Sequence, residues 1–365
     1  MKRMEVIIID DIYRKLQEKC DKVGIGFPAT KEGFELNYLQ ELFTPEEAEF
    51  FVKMKDGSQT AEEVADSFGE DLKQIQEILD SMSKKGLLFR VHEGTEVKYR
   101  TIPVIHGFYE FSMDRLTPAI SKNFSKHYVR GMGKNFFGGE DPFFRVIPIN
   151  TDIISNKVVL PIDNAAGIIE RQEKIAVADC FCRTAGKMGP GGGCDNPLET
   201  CILFDTFADY YVENGTGRYI TKEEALAIIK RSDELGLVIE VSNSDVVEVM
   251  CSCCSCCCGV LTAARLFPGP ATKVMSNYIC VKDEELCINC GICVQRCVMN
   301  AHVMAEDKVK YNNDLCIGCG LCVTTCPTKA LVMEMKKEDK IYTPPAHTLM
   351  ETYDYITQKR KNEGK

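Results

Sequence analysis

Residues 287–304, CINCGICVQRCVMNAHVM, and residues 316–333, CIGCGLCVTTCPTKALVM, are the stretch on which the fold of the C-terminal region depends. The two segments align without gaps at a period of 29 residues, and 10 of 18 aligned positions are identical. Such self-similarity indicates duplication of one structural unit. Each copy carries four cysteines at the spacing Cys-x2-Cys-x2-Cys-x3-Cys, which is typical of metal binding through thiolates.

This spacing favours two [4Fe-4S] clusters with interleaved ligands. Three closely spaced thiolates can wrap one face of a cubane, while the fourth, on the following helix, reaches the other cluster. The stretch resembles the bacterial-type two-cluster ferredoxins over about 55 residues. The resemblance implies two ligand sets: Cys287, Cys290, Cys293 and Cys326 for one cluster, and Cys316, Cys319, Cys322 and Cys297 for the other.

Three neighbouring positions bear on the shape of these ligand loops. Gly318 supplies the conformational freedom that a tight loop needs, and Asn289 at the equivalent place tolerates a left-handed backbone better than most residues. Val298 stands where these ferredoxins have a proline after the fourth cysteine. We expect this departure to change packing near the second cluster more than its ligation.

Cysteine content and charge narrow the class of protein. The 365-residue chain has 20 cysteines, all but Cys20 lying between Cys180 and Cys326, and a formal net charge of −10. In a chain expected to be soluble and cytoplasmic, such crowding indicates metal ligands rather than disulfides. The acidic balance argues against nucleic-acid and anionic-membrane partners. No run approaches the roughly 20 apolar residues of a membrane span.

The N-terminal region predicts helices and a hairpin. MKRMEVIIIDD has no cleavage site and predicts a short strand at residues 6–9 rather than a signal peptide. Residues 44–100 predict three helices and a hairpin, an order that resembles a winged helix, with capping boxes beginning at Thr44 and Thr60. This segment has 8 basic and 13 acidic residues, so we expect a docking or structural module rather than a DNA-binding one.

Ten further cysteines in the middle region are candidate metal ligands. They are Cys180, Cys182, Cys194, Cys201, Cys251, Cys253, Cys254, Cys256, Cys257 and Cys258. Thiolate clusters suit both iron–sulfur centres and zinc. Three interpretations therefore stay open: one or two further [4Fe-4S] clusters, a larger or non-cubane iron–sulfur centre, and zinc or redox-active thiols. Adjacency to the ferredoxin motifs favours iron.

Other residues of the middle region carry weaker signals. Thr221 begins a helix that ends at Gly236 before a strand, and another helix is expected to begin directly after Cys258. Arg183, beside Cys182, could lower a thiolate pKa or contact an anionic substrate, but we expect a surface ion pair.

The predicted fold class is an α+β multidomain chain. Its parts are a winged-helix-like domain (1–105), a connecting or docking region (106–160), an α/β cysteine-rich middle domain (161–275), a two-cluster ferredoxin-like domain (276–340) and a C-terminal tail (341–365). The aromatic residues of the connecting region are expected to form core between domains: Phe136, Phe137, Phe143 and Phe144.

Scattered cysteines and histidines give no separate site. Cys20 and Cys280 have no close partner in sequence and are expected to be buried thiols. His106, His127 and His302 are too far apart in sequence to predict a site.

The order of motifs over residues 160–335 resembles a group of uncharacterised 4Fe-4S binding proteins of anaerobes. The features are Cys180 to Cys201 with Pro197, Cys251 to Cys258, Pro268 to Pro270, Ser276 to Tyr278, and the two ferredoxin motifs. The resemblance implies anaerobic redox metabolism without identifying a reaction.

The favoured hypothesis is an electron-transfer subunit that passes electrons between a redox protein partner and an iron–sulfur centre of the middle domain. No flavin or nicotinamide fingerprint is present. One alternative is a reductase with an open iron site or reactive thiols at Cys251–Cys258 acting on a small substrate; a redox-sensing DNA-binding regulator is another. The sequence leaves open whether the chain forms a homo-oligomer.

Overall fold

The computed structural model describes residues 2–133, 135, 142–155, 159–189, 191–266 and 274–364. Phe136, Phe137 and the Pro268–Pro270 motif lie outside the described residues. Within the described part, no helix is both long and apolar enough to span a membrane.

The N-terminal strand predicted at residues 6–9 is wrong, because helix α1 spans Lys2–Asp21. A short apolar run does not distinguish strand from helix by itself. Here the run continues into Tyr13, Leu16 and Cys20, which have helical spacing and are buried on one side of α1. The burial of Cys20 agrees with the expectation from sequence.

Four helices and a hairpin follow α1. They are α2 (Phe34–Leu42), α3 (Pro45–Lys53), α4 (Ala61–Phe68), α5 (Leu72–Lys84), β1 (Phe89–Glu93) and β2 (Glu96–Arg100). Both predicted capping boxes are present, with Thr44 and Thr60 each bonded reciprocally to a glutamate three residues later. An isolated bridge from Gln59 to Tyr99 ties the hairpin to the start of α4. The likeness to a winged helix stays an interpretation of this element order.

The middle of the chain forms one six-stranded sheet in the order β3-β7-β8-β5-β4-β6. Its strands are β3 (Phe144–Ile147), β4 (Ile175–Asp179), β5 (Glu199–Phe204), β6 (Gly217–Tyr219), β7 (Val238–Ser242) and β8 (Val249–Cys253). Every pairing is antiparallel. The α/β description of the middle region is therefore wrong, because that class has a mainly parallel sheet. Edge strand β3 comes from the connecting region.

Among the described residues, seven α-helices accompany this sheet. They are α6 (Tyr109–Phe111), α7 (Pro118–His127), α8 (Ala165–Arg171), α9 (Phe181–Met188), α10 (Asp205–Asn214), α11 (Lys222–Leu235) and α12 (Gly259–Leu266). Helix α11 ends at Gly236 in the left-handed conformation and leads into β7, as the sequence predicts. Tyr210 on α10 donates to the Ser83 and Leu88 carbonyls, which joins the sheet to the N-terminal helices.

The C-terminal region consists of two small antiparallel pairs, two short helices and one long helix. They are β9 (Tyr278–Lys282) with β12 (Leu331–Met335), β10 (His302–Ala305) with β11 (Lys308–Tyr311), α13 (Ile292–Arg296), α14 (Leu321–Thr324) and α15 (Leu349–Asn362). Helix α15 forms from the tail segment and returns to the start of the chain. Thr357 accepts a hydrogen bond from the Gly24 amide, and the Tyr353 hydroxyl donates to the His106 carbonyl.

Candidate metal centres

The structure brings the first set of ferredoxin cysteines together at the protein surface. Cys287, Cys290, Cys293 and Cys326 line one cavity of about 20 Å³, which we call the outer site. Asn289 adopts the expected left-handed backbone, with φ of 56°, and its side-chain oxygen accepts a hydrogen bond from the Val309 amide at 2.9 Å. The four thiols of this set can therefore surround one cluster although they come from both motifs.

The surroundings of the outer site are open to solvent. Cys290 is exposed. Ile288 is 64% exposed and Leu286 50%, and Val303 and Met304 on β10 are also exposed. A partner could thus approach the outer site closely.

The second set of ferredoxin cysteines lies deeper. Cys297, Cys316, Cys319 and Cys322 line another cavity of about 20 Å³, the inner site. Gly318 has φ of 71°, and a Cβ there would overlap the Tyr278 carbonyl oxygen, so only glycine fits this ligand loop. The eight cysteines thus line two cavities in the crossed grouping that the ferredoxin resemblance implies, and their ligation of two clusters stays a prediction.

Two buried residues that are not among the eight ferredoxin cysteines also line the inner site. Cys280 Sγ lies 3.7 Å from Cys322 Sγ, and the His302 ring completes a compact group with them. Burial lowers the pKa of His302 to about 4, which keeps this imidazole neutral. Cys280 is buried as expected, but it is not remote from the ligands. Strand β9 brings it there by pairing with β12.

The inner site is joined to the six-stranded sheet. The Ile149 amide, just beyond the end of β3, donates to the Cys319 carbonyl at 3.0 Å. Strands β3, β7 and β8 are consecutive neighbours, and β8 carries Cys251 and Cys253. Two interstrand spacings, about 10 Å, therefore separate the strand that touches the inner site from the strand that holds middle-region cysteines.

A second contact holds the dicluster region against the sheet helices. Arg296, at the end of α13, bonds to Asp233 Oδ1 at 3.0 Å and to the Glu234 carbonyl at 3.2 Å. It also donates to the Leu321 carbonyl at 3.2 Å. Because helix C-termini carry unpaired carbonyls and negative partial charge, a guanidinium fits well at the end of α11.

Nine of the ten middle-region cysteines line one cavity of about 310 Å³, the central cavity. The tenth, Cys194, lies beside it, with its Sγ 3.8 Å from that of Cys254. Cys180 and Cys182 arrive at the start of α9, directly after β4. Cys201 on β5 stands opposite Cys251 on β8 in the sheet register. Antiparallel pairing thus merges two groups of cysteines that are 50 residues apart in sequence.

The ten thiols divide into two groups. The four-thiol group consists of Cys194, Cys254, Cys256 and Cys257, whose Sγ atoms all lie within 4.8 Å of one another. The six-thiol group consists of Cys180, Cys182, Cys201, Cys251, Cys253 and Cys258, which line the wall of the central cavity. The thiols of the first group surround one small volume, whereas those of the second group are distributed around the central cavity.

Arg183 lies between these groups and is fully buried, so the expected surface ion pair is wrong. Its guanidinium donates to the carbonyls of Pro197 and Ser252 and to the Thr200 hydroxyl. These acceptors are neutral, and among the described residues no carboxylate forms an ion pair with Arg183. A buried cation requires opposite charge nearby, and the surrounding cysteines can supply it as thiolates.

Acidic and aromatic side chains line the other wall of the central cavity. Glu110 and His106 come from the HGFYEF segment, and Glu240 comes from β7. Burial raises the pKa of Glu110 to about 8 and that of Glu240 to about 7, and burial lowers the pKa of His106 to about 4. All three groups are therefore biased toward their neutral forms.

The sequence interpretation missed these residues as members of a site. It left His106 unassigned and singled out no acid, because the connecting segment reaches the cysteines only through tertiary folding. Phe143 and Phe144 are buried as expected, and both line the same cavity. The clustering of aromatic residues around HGFYEF was the one signal available in the sequence.

Comparison with known proteins agrees with this geometry in the C-terminal region. Residues 286–330 match the family model of the 4Fe-4S dicluster domain. Neither a search of curated proteins nor a search of solved structures gave a match. The chain therefore carries a 4Fe-4S dicluster domain at residues 286–330, next to a cysteine-lined cavity on an antiparallel sheet.

Proposed function

We propose that this protein transfers electrons between a redox partner at the outer site and an iron–sulfur centre in the central cavity. The observation that carries the proposal is the convergence of ten thiols beside a dicluster domain whose inner site abuts the same sheet. When bound, iron–sulfur clusters supply one-electron chemistry at low potential.

The difference in burial between the two cluster sites supports a partner at the outer site and electron transfer inward through the inner site. The outer site has an exposed cysteine and exposed apolar neighbours, which suits contact with a partner. At the inner site, Ile317 and Leu321 belong to the main hydrophobic core, and Cys319 packs against it. Exclusion of water there limits reaction with solvent, and backbone amides of the ligand loops can tune the potential.

The middle-region cysteines are the proposed ligands of the redox centre that exchanges electrons with the dicluster domain. The six-thiol group offers more ligands than a single cubane needs, so both an additional [4Fe-4S] cluster and a larger centre are compatible with it. Arg183 offsets negative charge at this proposed centre. Its hydrogen bonds also hold residues 197–200 against β8.

The proposal can be tested by Mössbauer and EPR spectroscopy of ⁵⁷Fe-labelled protein purified without oxygen. Wild-type protein should show iron signals beyond the dicluster pair. Cys201→Ser should lose part or all of the additional signal and keep the pair. Cys20→Ser, which changes a buried thiol of α1, serves as the matched control and should keep every signal. Retention of all signals in the triple variant Cys201→Ser, Cys251→Ser and Cys253→Ser, which leaves only three thiols in the six-thiol group, would refute the cavity as an iron site.

The central cavity favours a second candidate function, a reductase acting on a small substrate. Its volume of about 310 Å³ lies at the lower end of the range for ligand pockets. Tyr109 and Phe124 stack with ring centroids 3.4 Å apart and form an aromatic wall. Glu110 shares this wall and could deliver a proton to a bound molecule.

This second candidate requires that added ligands reach the cavity. Small anions and thiols should then perturb the additional EPR signal of wild-type protein while the dicluster signals stay constant. A cavity signal that is inert to all such ligands would leave electron transfer alone as the function.

A further inference from the structure

The four-thiol group has the dimensions of a site for one metal ion. Cys194 Sγ lies 3.8 Å from both Cys254 Sγ and Cys257 Sγ, and Cys257 Sγ lies 3.7 Å from Cys256 Sγ. Four sulfurs placed tetrahedrally at about 2.3 Å from a zinc ion are separated from one another by about 3.8 Å. The observed separations therefore equal those of a tetrahedral thiolate site, whereas a disulfide would need about 2 Å.

The dicluster sites offer an internal comparison. In a cubane, each thiolate binds a different iron at a separate corner, so the four sulfurs stand farther apart than the ligands of one ion. Among the described residues, three groups have all ligand atoms within 4.8 Å, and none of these contains three of the eight ferredoxin cysteines. The sulfur atoms of the four-thiol group therefore lie closer together than those of the ferredoxin cysteines.

Charge and hydrogen bonding at the group also suit a bound ion. One divalent cation with four thiolates has a net charge of +2 − 4 = −2. Buried Arg183 lines the central cavity together with Cys254 and lacks a carboxylate partner among the described residues, so it can offset part of this charge. Asn196 Nδ2 donates to Cys194 Sγ at 3.4 Å, the kind of supporting contact that orients metal ligands.

Two glycines between Cys182 and Cys194, Gly186 and Gly193, determine how closely the backbone packs around the four-thiol group. A Cβ at Gly186 would lie 3.2 Å from Cys257 Sγ, so any larger residue would press on a ligand. Gly193 has φ of 64°, and a Cβ there would meet the Lys187 amide nitrogen at 2.9 Å. These glycines let the backbone approach closely enough for Cys194 to join the other three cysteines.

We propose that Cys194, Cys254, Cys256 and Cys257 bind a single zinc ion. The ion links Cys194, at the end of the glycine-rich segment, to the three cysteines of the loop before α12. This link lies at the edge of the central cavity. A site closed by four cysteines has no open position for substrate, so its role is structural. This assignment leaves the six-thiol group for iron and does not depend on the proposed electron transfer.

The first test is metal analysis combined with zinc K-edge X-ray absorption of wild-type protein purified without oxygen. We expect about one zinc per chain, with four sulfur neighbours at about 2.3 Å. Iron in place of zinc, or zinc with nitrogen or oxygen neighbours, would overturn the proposal. Because this measurement needs no variant, it stays decisive even if substitutions impair folding.

A pair of variants then locates the ion. Cys194→Ser should lower bound zinc at least tenfold while the dicluster EPR signals stay unchanged. Cys201→Ser, in the six-thiol group, should keep its zinc and lose iron instead. If Cys194→Ser keeps its zinc, or loses iron in its place, the four-thiol group is not the zinc site. Loss of iron from Cys201→Ser tests the proposed function separately.

Discussion

Replacing Arg296 with methionine should loosen the dicluster domain from the sheet without touching a cysteine. The guanidinium bonds to Asp233, Glu234 and Leu321, and the Arg296 and Asp233 side chains are 15% and 26% exposed. Charge-assisted hydrogen bonds of this kind contribute about 1.5–3 kcal/mol each when buried. Partial exposure and non-additivity reduce the sum, so we expect a loss of about 2 kcal/mol, or roughly 30-fold in the opening equilibrium.

Hydrogen exchange is the appropriate assay, because it reports local opening without requiring two-state unfolding of a metalloprotein. Amides of residues 292–297 and of the last turn of α11 should lose roughly 30-fold protection in Arg296→Met. Arg231→Met is the matched control: Arg231 pairs with Glu234 on the same helix, but their side chains are 61% and 52% exposed. That exposed pair should contribute less than about 0.5 kcal/mol. Equal protection in the two variants would refute the anchoring role of Arg296.

Three further predictions follow from individual residues. Cys326→Ser and Cys297→Ser should disturb different clusters of the dicluster pair, and loss of the same Mössbauer signal in both would contradict the crossed arrangement. Since folding raises the Glu110 pKa from 4.5 to about 8, its ionisation opposes folding as pH rises through that window. Glu110→Gln should therefore gain stability over wild type, by up to about 1.4 kcal/mol per pH unit between pH 5 and 8 in denaturant titrations; a constant difference would contradict this. Gly318→Ala should cost about 2–4 kcal/mol through strain and overlap, against about 1 kcal/mol for Gly33→Ala, which has φ of 70° and open space around it. Equal midpoints in thermal unfolding of the two glycine variants would show that the inner loop has room.

The parts of the molecule that the sequence predicts well depend on neighbours along the chain. The ferredoxin ligand loops, the capping boxes and the left-handed turn at Asn289 are all determined within a few residues. Periodicity failed at the N-terminus, where the apolar run at residues 6–9 belongs to a long helix. The antiparallel sheet was also missed, because helices between strands are compatible with either strand direction.

The arrangement of the central cavity depends on contacts distant in sequence. Cys201 meets Cys251 only through the register of β5 and β8, and Glu110 reaches them only because the connecting segment folds over the sheet. Arg183 looked like a surface residue since nothing local predicts that α9 turns it inward. The division of ten cysteines into two groups could likewise not be derived from spacing, as Cys194 lies 60 residues from Cys254.

The most direct test of electron transfer through this protein is a reductive titration that counts electrons and iron per chain. If the central cavity holds a redox centre connected to the dicluster domain, the protein should bind more than the 2 × 4 = 8 irons of a dicluster domain and accept more than about two electrons. Chains that bind only eight irons and accept only about two electrons would show that the central cavity holds no additional redox centre. That result would contradict the account.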